Sequence, residues 1–534
     1  MDDILIRGGQ LIDGSGAPAR HADVAICGGR ISRIADRCPG KAYREIDATG
    51  QAVAPGFIDI HTHSDFTLPI NPRAESKIRQ GVTTEVLGNC GFSVAPALPG
   101  RVEMLRDYLG ASAPWHAFRA TTFADYLNTF PAASVNTVMQ VGHNTLRLMA
   151  MGMEDRVPAA DELTLMQSLL AEALDAGALG LSSGLFTAPG TYAKPAEMTA
   201  LGHVLKSHGG AYSTHVRDEA NHVFEAVREA VAVGETCGIH VQIAHLKLSG
   251  TDNWGRAAQL LAEIDIARSR GVRVDCDQYP YTAGSNPLRN LLPSWVQEGG
   301  MEAMLQRLGQ SAARDRIRAE IAAHGLNNFG RIPSWDAVRI AISPHQSEFA
   351  GRTIGDIART RAADPLDTVC DYLIADRGHT RIVVTSMSEE DVQEIVRSER
   401  VLVGSDGTSV APYGTTGQGK PHPRFYGTFP RVLGRYVRDL GLLSLPQGVY
   451  KMTGGSAAAL GLVDRGLLRE GHRADITVFD PQAIADQATY EDPHQYAAGI
   501  STVIVNGVVV IDAGEHTGAL PGQVLRRGSD FARQ

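Results

Sequence analysis

The sequence predicts an α/β fold: a (β/α)8, TIM-type barrel with a small β-sandwich domain formed by both chain termini and an insertion near the barrel mouth. Three observations lead to this prediction. Both ends of the chain are rich in short strand-like runs, whereas the middle alternates strand-like and helix-like runs. Eight strand-like runs are found in the middle. Candidate metal ligands stand in or just after several of them, where such barrels keep their catalytic groups.

Composition and charge narrow the class of protein. The chain has 534 residues, is 43% hydrophobic and carries a net charge of -9, without a basic run interleaved with aromatics, so we expect no nucleic-acid partner. It begins MDDILIRGG, without the charged and apolar regions of a signal peptide, and has no apolar run of membrane-spanning length. The six cysteines are scattered without a CxxC pair, which favours reduced thiols and the cytoplasm.

The terminal segments each contain a hairpin pattern. ADVAICGGRISRIAD gives two strands joined at Gly28-Gly29, and TVIVNGVVVIDAG gives two strands joined at Asn506-Gly507. Two β-rich ends that flank a different middle predict one small β-domain made of residues 1–55 plus 465–534.

The middle, residues 56–464, is the predicted barrel. Helix-like runs such as ELTLMQSLLAEALDAG separate most of its strands. The spacing breaks between Tyr279 and Asp406, and we interpret 286–345 as an insertion above the barrel mouth that acts as a lid. The predicted strands are FIDIHTH, TTEVLGNC, TVMQVGH, ALGLSSG, AYSTHV, VQIAHL, VRVDCDQY and VLVGSD.

Six potential metal ligands follow one another along these strands. In HTH, two imidazoles at i and i+2 share one face of an extended strand. Imidazole suits zinc and similar ions, and a thiolate selects softer ions, zinc first. Taken alone, each residue can be explained without a metal, as a surface histidine, a buried cysteine or an aspartate in a turn. Their joint order at strand ends predicts a metal site made of His61, His63, Cys90, His215, His245 and Asp406.

These motifs resemble the amidohydrolase superfamily, whose signature is the HxH of GFIDIHTH with His215, His245 and Asp406. Many of its members bridge two metals with a carbamylated lysine on strand four, but ALGLSSGL has no lysine. Together with Cys90 in GNCGFSVAP and the segment HPRFYGTFPRVLG, this departure resembles one branch, the D-aminoacylases (N-acyl-D-amino-acid deacylases).

The resemblance implies a set of roles for residues of this chain. Cys90, His215 and His245 would hold one tightly bound zinc, and His61, His63 and Asp406 a second, weaker and often partly filled site. Asp406 would shuttle the proton. A clamp for the substrate α-carboxylate is expected from Lys247, Tyr279, Ser285 and Arg424, because a carboxylate in a partly dry site needs an arginine fork and other donors.

The expected function is therefore zinc-dependent hydrolysis of the amide of a small-molecule N-acyl-D-amino acid, with metal-activated water. Three alternatives stay open at this stage: a cyclic-amide hydrolase of the hydantoinase or dihydroorotase kind, a peptidase acting on D-residues, and a non-catalytic barrel scaffold. The sequence predicts neither the preferred side chain nor an oligomeric state.

Overall fold

The two chain ends form one β-sheet. The computed structural model describes residues 1–532. Ala52–Pro55 pairs antiparallel with Ile476–Phe479, which joins the N-terminal strands to the C-terminal ones. Both predicted hairpins are present, and Val24, Ile476 and Ile504 share one apolar cluster. The nine strands are Asp2–Leu11, Arg20–Cys27, Arg30–Ala35, Ala42–Asp47, Ala52–Pro55, Ile476–Phe479, Ile500–Val505, Val508–Asp512 and Glu515–His516.

Eight parallel strands form the barrel, in the order that the sequence predicts. Each pairs in parallel with the next, and a parallel bridge from Thr62 to Gly407 links the first strand to the eighth. The TIM-type prediction is confirmed. The strands are Phe57–Asp59, Val82–Leu87, Asn136–Met139 continued by Val141–Gly142, Gly180–Gly184, Ala211–His215, Val241–Ile243, Val274–Gln278 and Val401–Val403.

On one side, the two parts of the third barrel strand pair with different strands. Val141–Gly142 pairs with strand four, but Asn136–Met139 pairs with Val524–Leu525 from the end of the chain. The C-terminal segment therefore takes a place in the barrel wall between the beginnings of strands three and four.

Helices pack around the strands because each has an apolar face. Val223–Cys237, for example, buries Val227 and Val231 and ends at Gly238, whose φ of 65° suits glycine. The α-helices outside the insertion are Glu75–Ile78, Val102–Leu109, Phe123–Thr129, His143–Ala150, Ala160–Asp175, Pro195–His208, Val223–Cys237, Ala257–Ser269, Glu389–Arg397, Arg424–Arg431, Leu445–Lys451 and Gly454–Leu460. In the described part of the chain, none of the helices has the length and hydropathy required to cross a bilayer.

An inserted unit separates barrel strands seven and eight. Its antiparallel sheet has Arg381–Thr385 in the centre, between Ala283–Pro287 and Val338–Ile342. The unit has its own apolar core and extends beyond the expected range 286–345. The spacing of the sequence marks where it begins but not where it ends, because its later helices have the same amphipathic pattern as barrel helices. Its helices are Met301–Leu308, Ser311–His324, Ile354–Arg361 and Pro365–Ala375.

Candidate metal centre and substrate pocket

The predicted ligands meet at the carboxyl ends of the barrel strands. Cys90, His245 and Asp406 lie just past strands two, six and eight, and each has a positive φ (54°, 35° and 47°). Such backbone costs about 1–3 kcal/mol per residue and is enriched at active sites. The turns after these strands therefore aim the three side chains at one point.

Two groups of ligand atoms form there, and they share the Cys90 thiol. One consists of His61, His63, Cys90 and Asp406, and the other of Cys90, His215 and His245; within each group the ligand atoms lie within 4.8 Å of one another. Cys90 Sγ is 3.3 Å from Nε2 of His61 and 3.4 Å from Nε2 of His245. All members are buried. A thiolate with imidazoles and a carboxylate is a donor set that fits zinc.

The electrostatics favour the ligating form of Cys90. Burial on its own would raise the pKa of this thiol, but the charges of His61 and His245 lower it well below its usual value. A thiolate, not a thiol, is the form that binds metal.

The loop that carries Cys90 rests on strand four, which has no ligand of its own. Ser182 Oγ accepts a hydrogen bond from the backbone N–H of Gly91 at 3.0 Å and donates one to the carbonyl of Gly88. A Cβ at Gly184 would stand 2.1 Å from the carbonyl oxygen of Cys90. Strand four, where relatives with a lysine would place a ligand, instead admits and anchors the cysteine loop.

Acidic side chains behind the ligands fix the histidine rings. Asp277, in strand seven, lies with Oδ2 3.3 Å from Nδ1 of His61. Glu219 lies with Oε2 3.2 Å from Nε2 of His215 and with Oε1 2.9 Å from Nδ1 of His245. Such partners orient metal-binding imidazoles and raise their basicity.

An amide from the insertion completes this arrangement. Asn328 donates its Nδ2 to Glu219 Oε2 at 3.0 Å, and its Oδ1 accepts the backbone N–H of Glu219 at 3.0 Å. Asn328 Nδ2 is also 3.2 Å from Nε2 of His215. The insertion therefore supports the metal centre directly.

Asp406 connects the metal ligands with Arg424. Its Oδ1 is 3.1 Å from Nε2 of His63, and its Oδ2 is 2.9 Å from Nη2 of Arg424. Burial disfavours the carboxylate, but the charges of Arg424 and His245 hold the pKa of Asp406 well below its usual value. A carboxylate that remains ionised and adjoins the metal ligands has the position of a proton acceptor.

Arg424 begins the helix Arg424–Arg431 and is fully buried. Within residues 1–532, its Nε and Nη1 have no hydrogen-bond partner. His422 fixes the preceding turn: its Nε2 donates to the carbonyl of Ala283 at 2.8 Å, and its Nδ1 accepts the N–H of Arg424 at 3.0 Å. A guanidinium held in this way has donors free for an anion.

The other expected clamp residues lie near the same metal ligands. Two cations approach the ring of Tyr279, whose centroid is 4.4 Å from Cζ of Arg424 and 5.4 Å from Nζ of Lys247. Lys247 contacts Glu219 and lies 2.6 Å from Nδ1 of His245. Ser285 lines the pocket above the metal ligands. Of the four expected residues, Ser285 lines the pocket, whereas Arg424 and Lys247 lie directly behind its lining residues Asp406 and His245.

Several residues of this site were not anticipated from the sequence. Glu219 stands four residues after His215, and that spacing is a signal that could have found it. Asp277 lies in a strand-like run and was equally visible. Asn328 and Arg381 come from the insertion, where no motif marks them. His143, the first residue of the helix after strand three, lies with Nε2 2.7 Å from Oε1 of Glu197 and is outside the pocket lining.

Comparison with known proteins gives one family. The model of the amidohydrolase family matches residues 44–511. Three curated relatives from Alcaligenes xylosoxydans xylosoxydans are each 38% identical to the chain. They are D-aminoacylase (98% of this chain and 98% of that protein), N-acyl-D-glutamate deacylase (99% and 98%) and N-acyl-D-aspartate deacylase (98% and 95%).

Solved structures agree with this. A D-aminoacylase described as having a binuclear metal centre matches with a TM-score of 0.83 and 37% identity, over 99% of this chain and 100% of that one. An N-acyl-D-glutamate deacylase from Bordetella bronchiseptica, complexed with zinc and a phosphonate mimic of the tetrahedral intermediate, matches with a TM-score of 0.82 and 35% identity, over 98% and 99%.

Proposed function

The chain belongs to the amidohydrolase family, in the branch of the D-aminoacylases, and from this premise we propose that it is a zinc-dependent deacylase of N-acyl-D-amino acids. The reaction is hydrolysis of the linear amide to a carboxylate and a free D-amino acid. The observation that carries the proposal is the position of Cys90 in both ligand groups, beside a strand four that offers no ligand.

The residues present fit the metal. We assign a tight zinc to Cys90, His215 and His245, and a second, weaker metal to His61, His63 and Asp406. The thiolate at Cys90 and the carboxylates behind the imidazoles support this assignment. Zinc bound there supplies a Lewis acid that polarises the amide carbonyl and lowers the pKa of water.

Asp406 is the proposed proton shuttle. It accepts the proton of the attacking water and later delivers it to the leaving nitrogen, which avoids release of an unprotonated amide anion. Its carboxylate is held ionised by Arg424 and lies 3.1 Å from Nε2 of His63, so it stands at the metal ligands in the form that accepts a proton.

The α-carboxylate of the substrate is proposed to bind Arg424, Lys247, Tyr279 and Ser285. The free donors of Arg424 support this, because a buried guanidinium without full hydrogen bonding costs free energy until an anion arrives. When the carboxylate and the amide are both fixed, only one enantiomer places its side chain in the open part of the pocket.

We also place the protein in the cytoplasm. All six cysteines are free thiols, as expected in a reducing compartment, and a ligating Cys90 requires that state.

The test is hydrolysis of a panel of N-acetyl amino acids of both hands by purified, metal-analysed protein, measured as free amine. Turnover of D- but not L-forms with about one zinc per chain is the expected result. Absence of hydrolysis for the whole panel despite bound zinc would contradict the proposal. The same preparation would then be assayed on hydantoins and on peptides that contain D-residues.

A further inference from the structure

A second arginine reaches the pocket from the insertion. Arg381, the first residue of the central strand of the inserted sheet, lines the pocket together with Cys90 and Asp406. Its Nε donates to Ser285 Oγ at 3.0 Å, and its Nη1 donates to Ser112 Oγ at 2.7 Å. Arg381 is partly accessible to solvent.

Arg381 forms no direct ion pair with a described residue, although Asp406 and Cys90 line the same pocket and favour its charged form. Across residues 1–532, no carboxylate lies within ion-pair distance of its guanidinium, and its hydrogen-bond partners are the neutral oxygens of two serines. Burial, with the nearby charge of Arg424, lowers the pKa of Arg381 to about 10, so it remains a cation at neutral pH. A partly buried guanidinium whose hydrogen-bond partners are all neutral oxygens favours the binding of an anion.

We propose that Arg381 binds a second carboxylate of the substrate, the one on its side chain, and that the preferred substrates are therefore N-acyl derivatives of acidic D-amino acids. This inference rests on the proposed deacylase function. Two separate guanidinium groups, Arg424 beside Asp406 and Arg381 beside Ser112, match a substrate with two carboxylates.

The side chain is a better match for this charge than the acyl group. Arg381 is bonded to Ser285, which belongs to the proposed clamp for the α-carboxylate. An anion on Arg381 is therefore close to the amino-acid part of the substrate. The acyl part is left to the apolar wall of the pocket, where Phe92 and Phe186 lie.

The test compares wild type with Arg381→Met, which keeps much of the side-chain volume and removes the charge. The substrates are N-acetyl-D-glutamate, its neutral isostere N-acetyl-D-glutamine, and N-succinyl-D-leucine, whose second carboxylate is on the acyl group. In wild type we expect kcat/KM to favour the glutamate by about 100-fold. Arg381→Met should lower the glutamate value by about 100-fold and the glutamine value by less than about threefold, the scale of a lost buried charge pair.

Two further variants serve as controls. Arg339→Met removes an arginine from the neighbouring strand of the same sheet, where it contacts Gly351 and Glu491 away from the pocket, and should leave both rates unchanged. Arg381→Lys retains the positive charge but not the planar pair of N–H donors, and should keep part of the preference for glutamate. Inhibition by free D-glutamate against D-glutamine gives a second readout, which should weaken selectively in Arg381→Met.

The outcomes separate this inference from the proposed function. Equal losses on glutamate and glutamine would overturn the inference, and so would a selective loss on the succinyl substrate. A wild type that hydrolyses neutral N-acyl-D-amino acids without favouring the acidic ones would overturn it while the deacylase function stands. Silence on every N-acyl-D-amino acid despite bound zinc would overturn both.

Discussion

Two buried cations of the barrel differ in how completely they are paired. Lys77 lies next to strand one, where it contacts Oδ2 of Asp59 at 2.8 Å and the hydroxyl of Ser405. Arg424, at the pocket, has Asp406 on one nitrogen and no hydrogen-bond partner for Nε and Nη1 in the described chain. Both are fully buried. Lys77 therefore has its charge paired within the fold, whereas Arg424 keeps two nitrogens free for a substrate anion, as the proposed function requires.

The substitution Asp406→Asn, next to Arg424 in the pocket, should give the largest loss of activity. The amide keeps the shape of the side chain but cannot accept a proton, so kcat should fall by about 10³-fold or more. Zinc content should remain, because the proposed tight site does not include Asp406. The measurement is kcat with metal analysis on the same sample, and near-normal turnover would contradict the role of proton shuttle.

Lys77→Met should give the largest loss of stability. It leaves Asp59 buried without its cation, which costs about 3–5 kcal/mol, so the thermal midpoint should fall clearly. The exposed Lys41→Met is the matched control and should leave the midpoint unchanged. The double variant Lys77→Met with Asp59→Asn should recover part of the loss. If Lys77→Met is as stable as wild type, the ion pair between Lys77 and Asp59 does not stabilise the fold.

Arg424→Met should show the reverse pattern. We expect kcat/KM for N-acyl-D-amino acids to fall by about 100-fold. Amides without a carboxylate should lose less, namely the part that follows from the higher pKa of Asp406 once Arg424 no longer holds it ionised. The thermal midpoint should fall less than in Lys77→Met, because Asp406 loses one partner but keeps His63 at 3.1 Å and lines the pocket. Comparable losses on both kinds of amide would argue against a carboxylate clamp.

Glu219→Gln should have the smallest effect of the four. Glu219 orients His215 and His245, so its loss should weaken zinc binding by about 10–100-fold. Competition with a chelator measures this affinity. The adjacent Asp218→Asn, whose Oδ1 accepts the N–H of Ala220, is the control and should keep zinc as wild type does. Unchanged affinity in Glu219→Gln would show that the carboxylate is not needed to hold the rings.

The sequence was informative where local spacing and strand ends determine position. His61 and His63 are predicted to share one face because alternate residues of a strand do. Cys90 is predicted to be a metal ligand because strand four has no lysine that could take this role. Arg381 could not be found this way. Arg381 lies beside Ser285 because their two strands pair antiparallel, although almost the whole insertion separates them in sequence. The register of such distant strands is not encoded in any local sequence pattern.

The pairing of the two chain ends has a consequence for biosynthesis. Ala52–Pro55 leaves the ribosome early, but its partner strand Ile476–Phe479 follows after about 20–85 s at ordinary rates of translation. Val524–Leu525, which completes the wall beside strand three, comes later still. During this interval the nascent chain has open sheet edges, the kind of surface that chaperones cover and that promotes aggregation. Yield in a foreign host should therefore depend on chaperone supply and growth temperature more than the stability of the finished barrel suggests.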